Sequence, residues 1–156
     1  MDTKSPEERS KNMAAIHSEN TKPEIHLRKL LFARGYRYGV NSKSVPGHQD
    51  IYMKKYNTAI FVHGCFWHRH EGCKYAYMPK SKVEFWHKKF DTNVKRDKTV
   101  RKELLELKIK QLIVWECTIK KMKKDEIYRD KYSRTNNSFS WWVGLFFGNL
   151  NYGMIF

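Results

Sequence analysis

The segment that most constrains this chain is residues 63–73, where two cysteines and three histidines fall within eleven positions. Cys65, His70 and Cys73 come close to the short ligand spacing of structural zinc sites. The remaining cysteine, Cys117, lies in a separate apolar run and could supply a fourth ligand from a neighbouring strand. The pattern therefore favours a closed zinc site. The alternative is three buried or free thiols beside a surface histidine, and the odd cysteine count argues against a disulfide framework.

Net charge is the second constraint. The chain has 31 lysines and arginines against 16 aspartates and glutamates, a formal net charge of +15. Such an excess in a folded domain usually serves a polyanion, so nucleic acid is the expected partner; a role in solubility alone is the alternative. No signal-peptide core follows Met1, and the longest apolar run, 139–147, is short and broken by Gly144. We therefore expect a cytoplasmic protein without a membrane partner.

Helix signals occur at several places in the chain. Capping patterns predict helices that begin at Ser5, Thr21 and Ser81. The first is expected to run to about His17, and the second to end at Gly35. Helical spacing resumes over residues 93–108. Residues 120–132 are predicted to be a basic helix or a loop.

Strand signals lie between these helices. Short runs of strand type predict strands over residues 36–40, 51–53, 59–63 and 109–117. The order helix, strands, helix, strand predicts an α/β fold with a mixed central sheet flanked by helices. At 156 residues the chain is most economically one domain, 1–156, which we expect to be a monomer.

A carboxylate and two histidines fall near the predicted strand ends. Asp50 follows a Pro-Gly turn at the head of a strand, a position where many nucleases place a Mg²⁺ ligand. It could equally be a turn residue that caps its own backbone. Lone histidines are usually structural or surface groups, but His63 and His68 gain weight from their neighbours. A metal on Cys65 and His70 would hold His68 on a rigid segment, as a general base requires.

Several separate motifs agree in order and spacing with one known family. They are Ser10–Met13, Pro46-Gly47 with Asp50, Phe61–Cys73, Glu84–Trp86, Asn93–Asp97 and Ile113–Cys117. Over about residues 9–120 the chain resembles the very short patch repair endonucleases, and residues 121–156 are not covered. The resemblance implies a fold similar to type II restriction endonucleases, with a structural zinc. It also implies Mg²⁺-dependent nicking of double-stranded DNA 5′ to the thymine of a T·G mismatch, which arises when 5-methylcytosine deaminates.

Carried over residue by residue, the resemblance assigns four catalytic roles. It makes Asp50 the Mg²⁺ ligand, His68 the general base for the attacking water and Asp97 the partner of that base. It places His63 near the phosphate. A neutral imidazole can take a proton from water, and a carboxylate orients the ring and stabilises its charged form. From spacing alone, Asp97 is an ordinary helix-surface charge that pairs with nearby lysines.

The resemblance also assigns DNA contacts. It implies that three aromatic side chains wedge into the base stack beside the mismatch, namely Phe66, Trp67 and Trp86. The alternative for these rings is core packing. Met13 is expected to press from the minor-groove side. Lys89 and Asn93 match positions expected to face the wobble pair, where they can reach base-edge acceptors.

One position departs from the family pattern. Val62 stands where the family commonly has threonine. Valine is tolerated if the metal ligand there is the backbone carbonyl, and activity is in doubt if a hydroxyl contributes. Two other functions stay open. One is a related zinc-stabilised endonuclease with a different target, and the other is a non-catalytic zinc-stabilised DNA-binding module.

Overall fold

The fold is seen in a computed structural model, which describes residues 5, 7–8, 11, 14–15, 19–125 and 128. The helices are α1 (Lys22–Ala33), α2 (Val83–Glu106) and α3 (Glu116–Lys124). The strands are β1 (Ile51–Met53), β2 (Thr58–His63) and β3 (Lys110–Trp115), with a 3-10 turn over Lys54–Tyr56. The strand order is β1-β2-β3, antiparallel between β1 and β2 and parallel between β2 and β3. The predicted α/β class with a mixed sheet is confirmed.

The central strand β2 is buried on both faces, because apolar clusters lie on each side of the sheet. Ile60 belongs to one cluster, whereas Ala59 and Phe61 belong to the other. The first cluster joins α1 and α3 to the sheet through Leu27, Leu31, Ile51, Met53, Leu112, Val114 and Ile119. The second brings Leu104 of α2 and Val45 onto the opposite face. Because successive side chains of a strand point to opposite faces, a slip of one residue would move each of these side chains into the other cluster.

That register gathers the polar groups at one edge. Ile51 pairs with Ile60, so the residue before β1, Asp50, lies beside the carboxyl end of β2. His63 is the last residue of β2 and pairs with Trp115, the last residue of β3. The start of an antiparallel strand and the ends of two parallel strands therefore meet at a single edge of the sheet.

Two predicted strands differ from the structure. The prediction of a strand over 36–40 is wrong, because only Gly39 of this segment pairs with β1. Gly39 and Tyr52 exchange two backbone hydrogen bonds of 2.9 and 2.8 Å. The chain then turns at Asn41. The strand over 109–117 ends early, at Trp115. Cys117 therefore lies in the first turn of α3 and not on a strand. Buried Ile119 and Met122, three residues apart, give this segment a helical apolar face.

The helix signals have mixed outcomes. The capping pattern at Ser5 is confirmed. The Ser5 N–H donates to Glu8 Oε2 at 3.0 Å, and the Glu8 N–H donates to Ser5 Oγ at 3.2 Å. At Thr21 the hydroxyl donates to the Glu24 carboxylate at 2.6 Å and caps no backbone group. The cap predicted at Ser81 is wrong, because α2 starts after Lys82, which has a left-handed φ of 52°. α2 is also one helix and not two.

Three predictions extend beyond what the structure covers. The end of the first helix near His17, the contact assigned to Met13 and most of the tail 121–156 lie outside the described residues. None of the helices found among the described residues is long and apolar enough to cross a membrane.

Candidate active site and metal centre

Asp50 bonds to the neighbouring strand. Its Oδ2 accepts a hydrogen bond of 2.6 Å from the Val62 N–H, while its own N–H donates to the Ile60 carbonyl at 3.1 Å. Burial raises the pKa of this carboxyl to about 6, although the Val62 N–H acts in the opposite direction. A nearby cation would favour the ionised form. The chemistry of this carboxylate therefore suits a metal ligand.

Three side chains meet beside Asp50. The ring of His63, only 6% exposed, stacks on the ring of His68 with a centroid distance of 3.8 Å and an interplanar angle of 14°. Nδ1 of His68 lies 2.6 Å from Oδ2 of Asp97 on α2. Because a carboxylate only accepts hydrogen bonds, Nδ1 of the neutral ring carries the proton and Nε2 is left as the proton acceptor. The arrangement can therefore act as a carboxylate-oriented base.

His63 has a different electrostatic setting. Burial is the main cause that lowers its pKa to about 3, and the charge of His68 acts in the same direction. The carboxylate of Asp97 opposes the shift, and Arg96 adds to it. The imidazole of His63 is therefore neutral at physiological pH, where it can donate or accept a hydrogen bond without carrying charge.

These groups line a single cavity of about 410 Å³. Sequence reasoning missed three further charged residues on its wall, Glu19, Glu24 and Arg96. Glu24 is 4% exposed and pairs with Arg28 at 3.3 Å. Its place in the first turn of α1 resembles an ordinary helix cap, so its sequence context gave no sign of the cavity. The Pro-Gly turn before Asp50 was the feature of the sequence that indicated this site, and Gly47 also lines the cavity.

A second group of side chains could hold a metal ion. The candidate ligand atoms of Cys65, His70, Cys73 and Cys117 all lie within 4.8 Å of one another. Nδ1 of His70 is 3.5 Å from Sγ of Cys65 and 3.4 Å from Sγ of Cys117. Tetrahedral zinc with bonds of about 2.3 Å to sulfur and about 2.0 Å to nitrogen separates those atoms by roughly 3.5 Å. The donor set therefore fits a tetrahedral Cys3His centre.

Local turns direct the histidines of this segment to different places. The N–H of His68 donates to the Gly64 carbonyl at 3.1 Å, and that of His70 donates to the Cys65 carbonyl at 3.1 Å. Arg69 between them adopts a left-handed φ of 53°. His68 consequently lines the cavity, whereas His70 joins the cysteines.

The indole of Trp115 lies between the two groups. It stacks on the ring of His70 with a centroid distance of 4.0 Å and an angle of 3°. Its edge packs against the ring of His63, with centroids 5.5 Å apart. One aromatic side chain therefore contacts both the candidate metal-binding group and the cavity wall.

The three aromatic residues singled out in the sequence form one cluster. Phe66 lies 5.1 Å from Trp67 and 5.2 Å from Trp86 between ring centroids, and the two indoles are 5.9 Å apart. Asn93, 8% exposed, donates from Nδ2 to the Trp67 carbonyl at 3.0 Å. Lys89 is exposed on the same helix. The cluster is half-buried, so it is neither plain core nor a fully exposed surface.

Comparison with known proteins identifies the family of this chain. The family described as DNA mismatch endonuclease Vsr matches residues 1–74. The type II nicking enzyme V.NmeAIP of Neisseria meningitidis serogroup A is 45% identical over 112 residues, which are 72% of this chain and 79% of that protein. The DNA mismatch endonuclease Vsr of Escherichia coli K12 is 42% identical over 112 residues, 72% of this chain and 71% of that protein. The chain belongs to the Vsr family of DNA mismatch endonucleases.

Membership in the Vsr family makes the protein a DNA endonuclease and therefore a hydrolase. A further relative, the type II nicking enzyme V.XorIIP of Xanthomonas oryzae, is 38% identical over 118 residues, 76% of this chain and 86% of that protein. Val62 is the position at which this chain is expected to depart from the common pattern of the Vsr family. Its side chain packs against the core formed by α1 and the sheet, and the residue lines the cavity. Valine has no side-chain oxygen, so its backbone carbonyl is the one oxygen ligand it can offer.

Proposed function

We propose that this protein nicks one strand of duplex DNA 5′ to the thymine of a T·G mismatch, in a reaction that depends on Mg²⁺. The observation that carries the proposal is the pair of His68 and Asp97, 2.6 Å apart, on the wall of the cavity that Asp50 also lines. A base oriented by a carboxylate beside a candidate metal ligand is the equipment that phosphodiester hydrolysis requires. A module that only binds DNA needs none of it.

Each polar group has a separate task in this scheme. Nε2 of His68 takes a proton from the attacking water, and Asp97 stabilises the imidazolium that forms. The neutral ring of His63 offers a hydrogen bond to the phosphate without competing for that proton. Asp50 and the carbonyl of Val62 would hold Mg²⁺, which when bound neutralises charge that develops on the phosphate and the leaving oxygen.

Mismatch selection is assigned to the aromatic cluster. Phe66, Trp67 and Trp86 would enter the base stack, which costs a few kcal/mol of unstacking and least at a mismatched step. Nδ2 of Asn93 donates one hydrogen to the Trp67 carbonyl, which leaves its second N–H for a base-edge acceptor. Lys89 offers an ammonium to the acceptors of the wobble pair. Met13 is proposed to press from the minor groove.

The metal centre is proposed to hold structural zinc. Three thiols and one imidazole gather with the spacing of a closed tetrahedral site. Burial raises the pKa of Cys65 to about 12, so the free thiol stays protonated and the metal must displace the proton. The centre would fix the 63–73 segment. We further propose a single domain, a monomer, and a cytoplasmic location where it meets bacterial DNA.

A second candidate target follows from the relatives. V.NmeAIP and V.XorIIP are described as type II nicking enzymes. The same catalytic groups could therefore serve a nick whose position is set by the flanking sequence as well as by the mismatch. Mismatch-specific nicking and sequence-dependent nicking differ in which DNA duplexes are cut and not in the chemistry of the cut.

The test is a nicking assay on end-labelled duplexes. The panel contains a matched duplex, T·G and other mismatches, each in several flanking sequences, with and without Mg²⁺. We expect a single nick 5′ to the mismatched thymine that requires Mg²⁺ and that His68→Ala abolishes. Equal nicking of matched and mismatched duplexes would overturn the mismatch assignment. Tight DNA binding without any nick would favour the non-catalytic module.

A further inference from the structure

The cavity wall is unusually acidic for a site that receives a phosphate. Four carboxylate side chains line it, from Glu19, Glu24, Asp50 and Asp97. Among the lining residues in the described part of the chain, Arg96 is the one lysine or arginine. A DNA phosphate brought into this cavity meets repulsion from these carboxylates, which the proposed Mg²⁺ offsets in part and a cation of the protein can offset further.

The other nearby arginine is already engaged. Nη2 of Arg28 pairs with Glu24 at 3.3 Å, Nη1 donates to Asn20 Oδ1 at 2.6 Å and Nε donates to the Asp50 carbonyl at 3.3 Å. All three nitrogens of this guanidinium therefore serve the protein. Arg28 holds α1 against the start of β1 and has few donors left for a ligand.

Arg96 differs from Arg28 in each of these respects. It is exposed, and it makes no hydrogen bond or ion pair with any described residue. It precedes Asp97 on the long helix α2, so its backbone is held rigidly beside the catalytic pair. A guanidinium presents a planar fork of N–H donors that matches two phosphate oxygens, and it stays charged at every physiological pH.

We propose that Arg96 is a catalytic residue that binds the non-bridging oxygens of the DNA phosphate that is cleaved. The proposal deepens the nicking function proposed above and rests on it. As the water oxygen bonds to phosphorus, its proton passes to Nε2 of His68 and the P–O bond to the leaving sugar oxygen breaks. Negative charge grows on the non-bridging oxygens during this step, and a guanidinium bound to them stabilises the transition state more than the bound substrate. Together with the proposed Mg²⁺, Arg96 thereby offsets the repulsion between the DNA phosphate and the carboxylates of the cavity wall.

The experiment compares Arg96→Gln with Arg101→Gln, which removes an arginine charge from the same helix at a residue that does not line the cavity. The first readout is the single-turnover nicking rate at saturating enzyme. We expect a loss of roughly 10²-fold for Arg96→Gln, the size typical of removing one donor to a developing oxyanion. Arg96→Lys keeps the charge but not the fork, and should fall between the two. Arg101→Gln should nick at the wild-type rate.

The second readout is binding to two T·G duplexes, one with a normal phosphate and one with a neutral methylphosphonate at the expected nick. If Arg96 binds that phosphate, Arg96→Gln weakens binding to the first duplex and leaves binding to the second unchanged. Arg101→Gln affects both duplexes alike. A merely structural role for Arg96 would weaken both, and that result overturns the proposal, as would wild-type behaviour with both.

Thermal melting and zinc content of each variant identify a folding defect. If Arg96→Gln does not fold, Arg96→Lys replaces it in the binding measurements on the two duplexes. The failure of the nicking function is distinguishable from failure of this inference. A wild-type protein that nicks none of the duplexes defeats the proposed function, whereas an Arg96→Gln protein that nicks at the wild-type rate defeats only the role of the arginine.

Discussion

The rings of His63 and His68 lie face to face, 3.8 Å apart between centroids, and Nδ1 of His68 lies 2.6 Å from the Asp97 carboxylate. Two imidazolium ions at stacking distance would repel each other strongly. Burial lowers the pKa of His63 to about 3, and the carboxylate lies against the other ring. His63 therefore stays neutral, which is consistent with the proposal that His68 takes the proton from water.

Replacing the Asp97 carboxylate should prevent His68 from acting as a base, while the rings of His63 and His68 remain stacked. In Asp97→Asn the amide can donate to Nδ1, which moves the ring proton to Nε2 and removes the acceptor. We expect the nicking rate to fall by roughly 10²–10⁴-fold with binding to the T·G duplex nearly unchanged. Because the two residues act as a unit, the double variant with His68→Ala should be no slower than His68→Ala alone. Asp91→Asn, on an exposed position of α2, is the matched control. Additive losses would show that Asp97 acts independently of His68.

Removing the aromatic ring of Trp67 should reduce DNA binding more than the nicking rate, which is the opposite of the effect expected for Asp97→Asn. Trp67→Ala is expected to weaken binding to the mismatched duplex by about 1–3 kcal/mol, the contribution of stacking on one base. Nicking at saturating enzyme should fall less than binding does. Fluorescence anisotropy with matched and mismatched duplexes measures both affinities. Tyr75→Ala, an exposed ring outside the cluster, should retain the discrimination. Unchanged preference for T·G in Trp67→Ala would return this residue to core packing.

The metal centre can be tested from its most distant ligand. Cys117→Ser should release zinc and lower the melting temperature, because the ligands of the 63–73 segment lose the metal that joins them to α3. Elemental analysis and circular dichroism follow the two effects. Thr118→Ser changes the adjacent residue without altering the ligands and should retain zinc. A folded wild-type protein without zinc would contradict the assignment.

Asp50 should reduce stability at neutral pH. Its pKa rises from 3.8 to about 6 on folding, so the folded protein binds more protons than the unfolded chain between those values. The free energy of unfolding therefore falls as pH rises through that window, and the full loss is present above pH 6. Asp50→Asn should stabilise the Mg²⁺-free protein by about 1–3 kcal/mol at pH 8, with a smaller gain at pH 5. Denaturant titrations at both pH values measure this, and the variant should not nick. Equal gains at the two pH values would disprove the electrostatic cause.

What the sequence could predict was mostly local. The three candidate ligands within residues 63–73 are close in the chain, and local backbone hydrogen bonds fold this segment into turns. The strand that carries His63 is a short apolar run of the buried type. The α/β class followed from the order of such runs.

Long-range relations were harder to see. The contact of Asp97 with His68 spans 29 residues, and on spacing alone the carboxylate looked like a surface charge. Glu24 had the sequence context of a helix cap, which concealed its place on the cavity wall. The segment 36–40 has strand-forming residues, but β1 is three residues long and offers one pairing partner. In each case tertiary packing, which a linear pattern does not contain, decided the outcome.

The length of α2 has a consequence for where a strand is cut. Trp86 and Asp97 both lie on this unbroken helix of 24 residues, eleven positions apart. At about 3.6 residues and 5.4 Å per turn, they lie on nearly the same side of the helix and about 16 Å apart along its axis. Because a helix is stiffer than a loop, α2 fixes the distance between Trp86 of the aromatic cluster and Asp97, the partner of His68. One residue inserted between them would swing the carboxylate by roughly 100° around the axis. The offset from mismatch to nick would then depend in part on the helical backbone between these two residues.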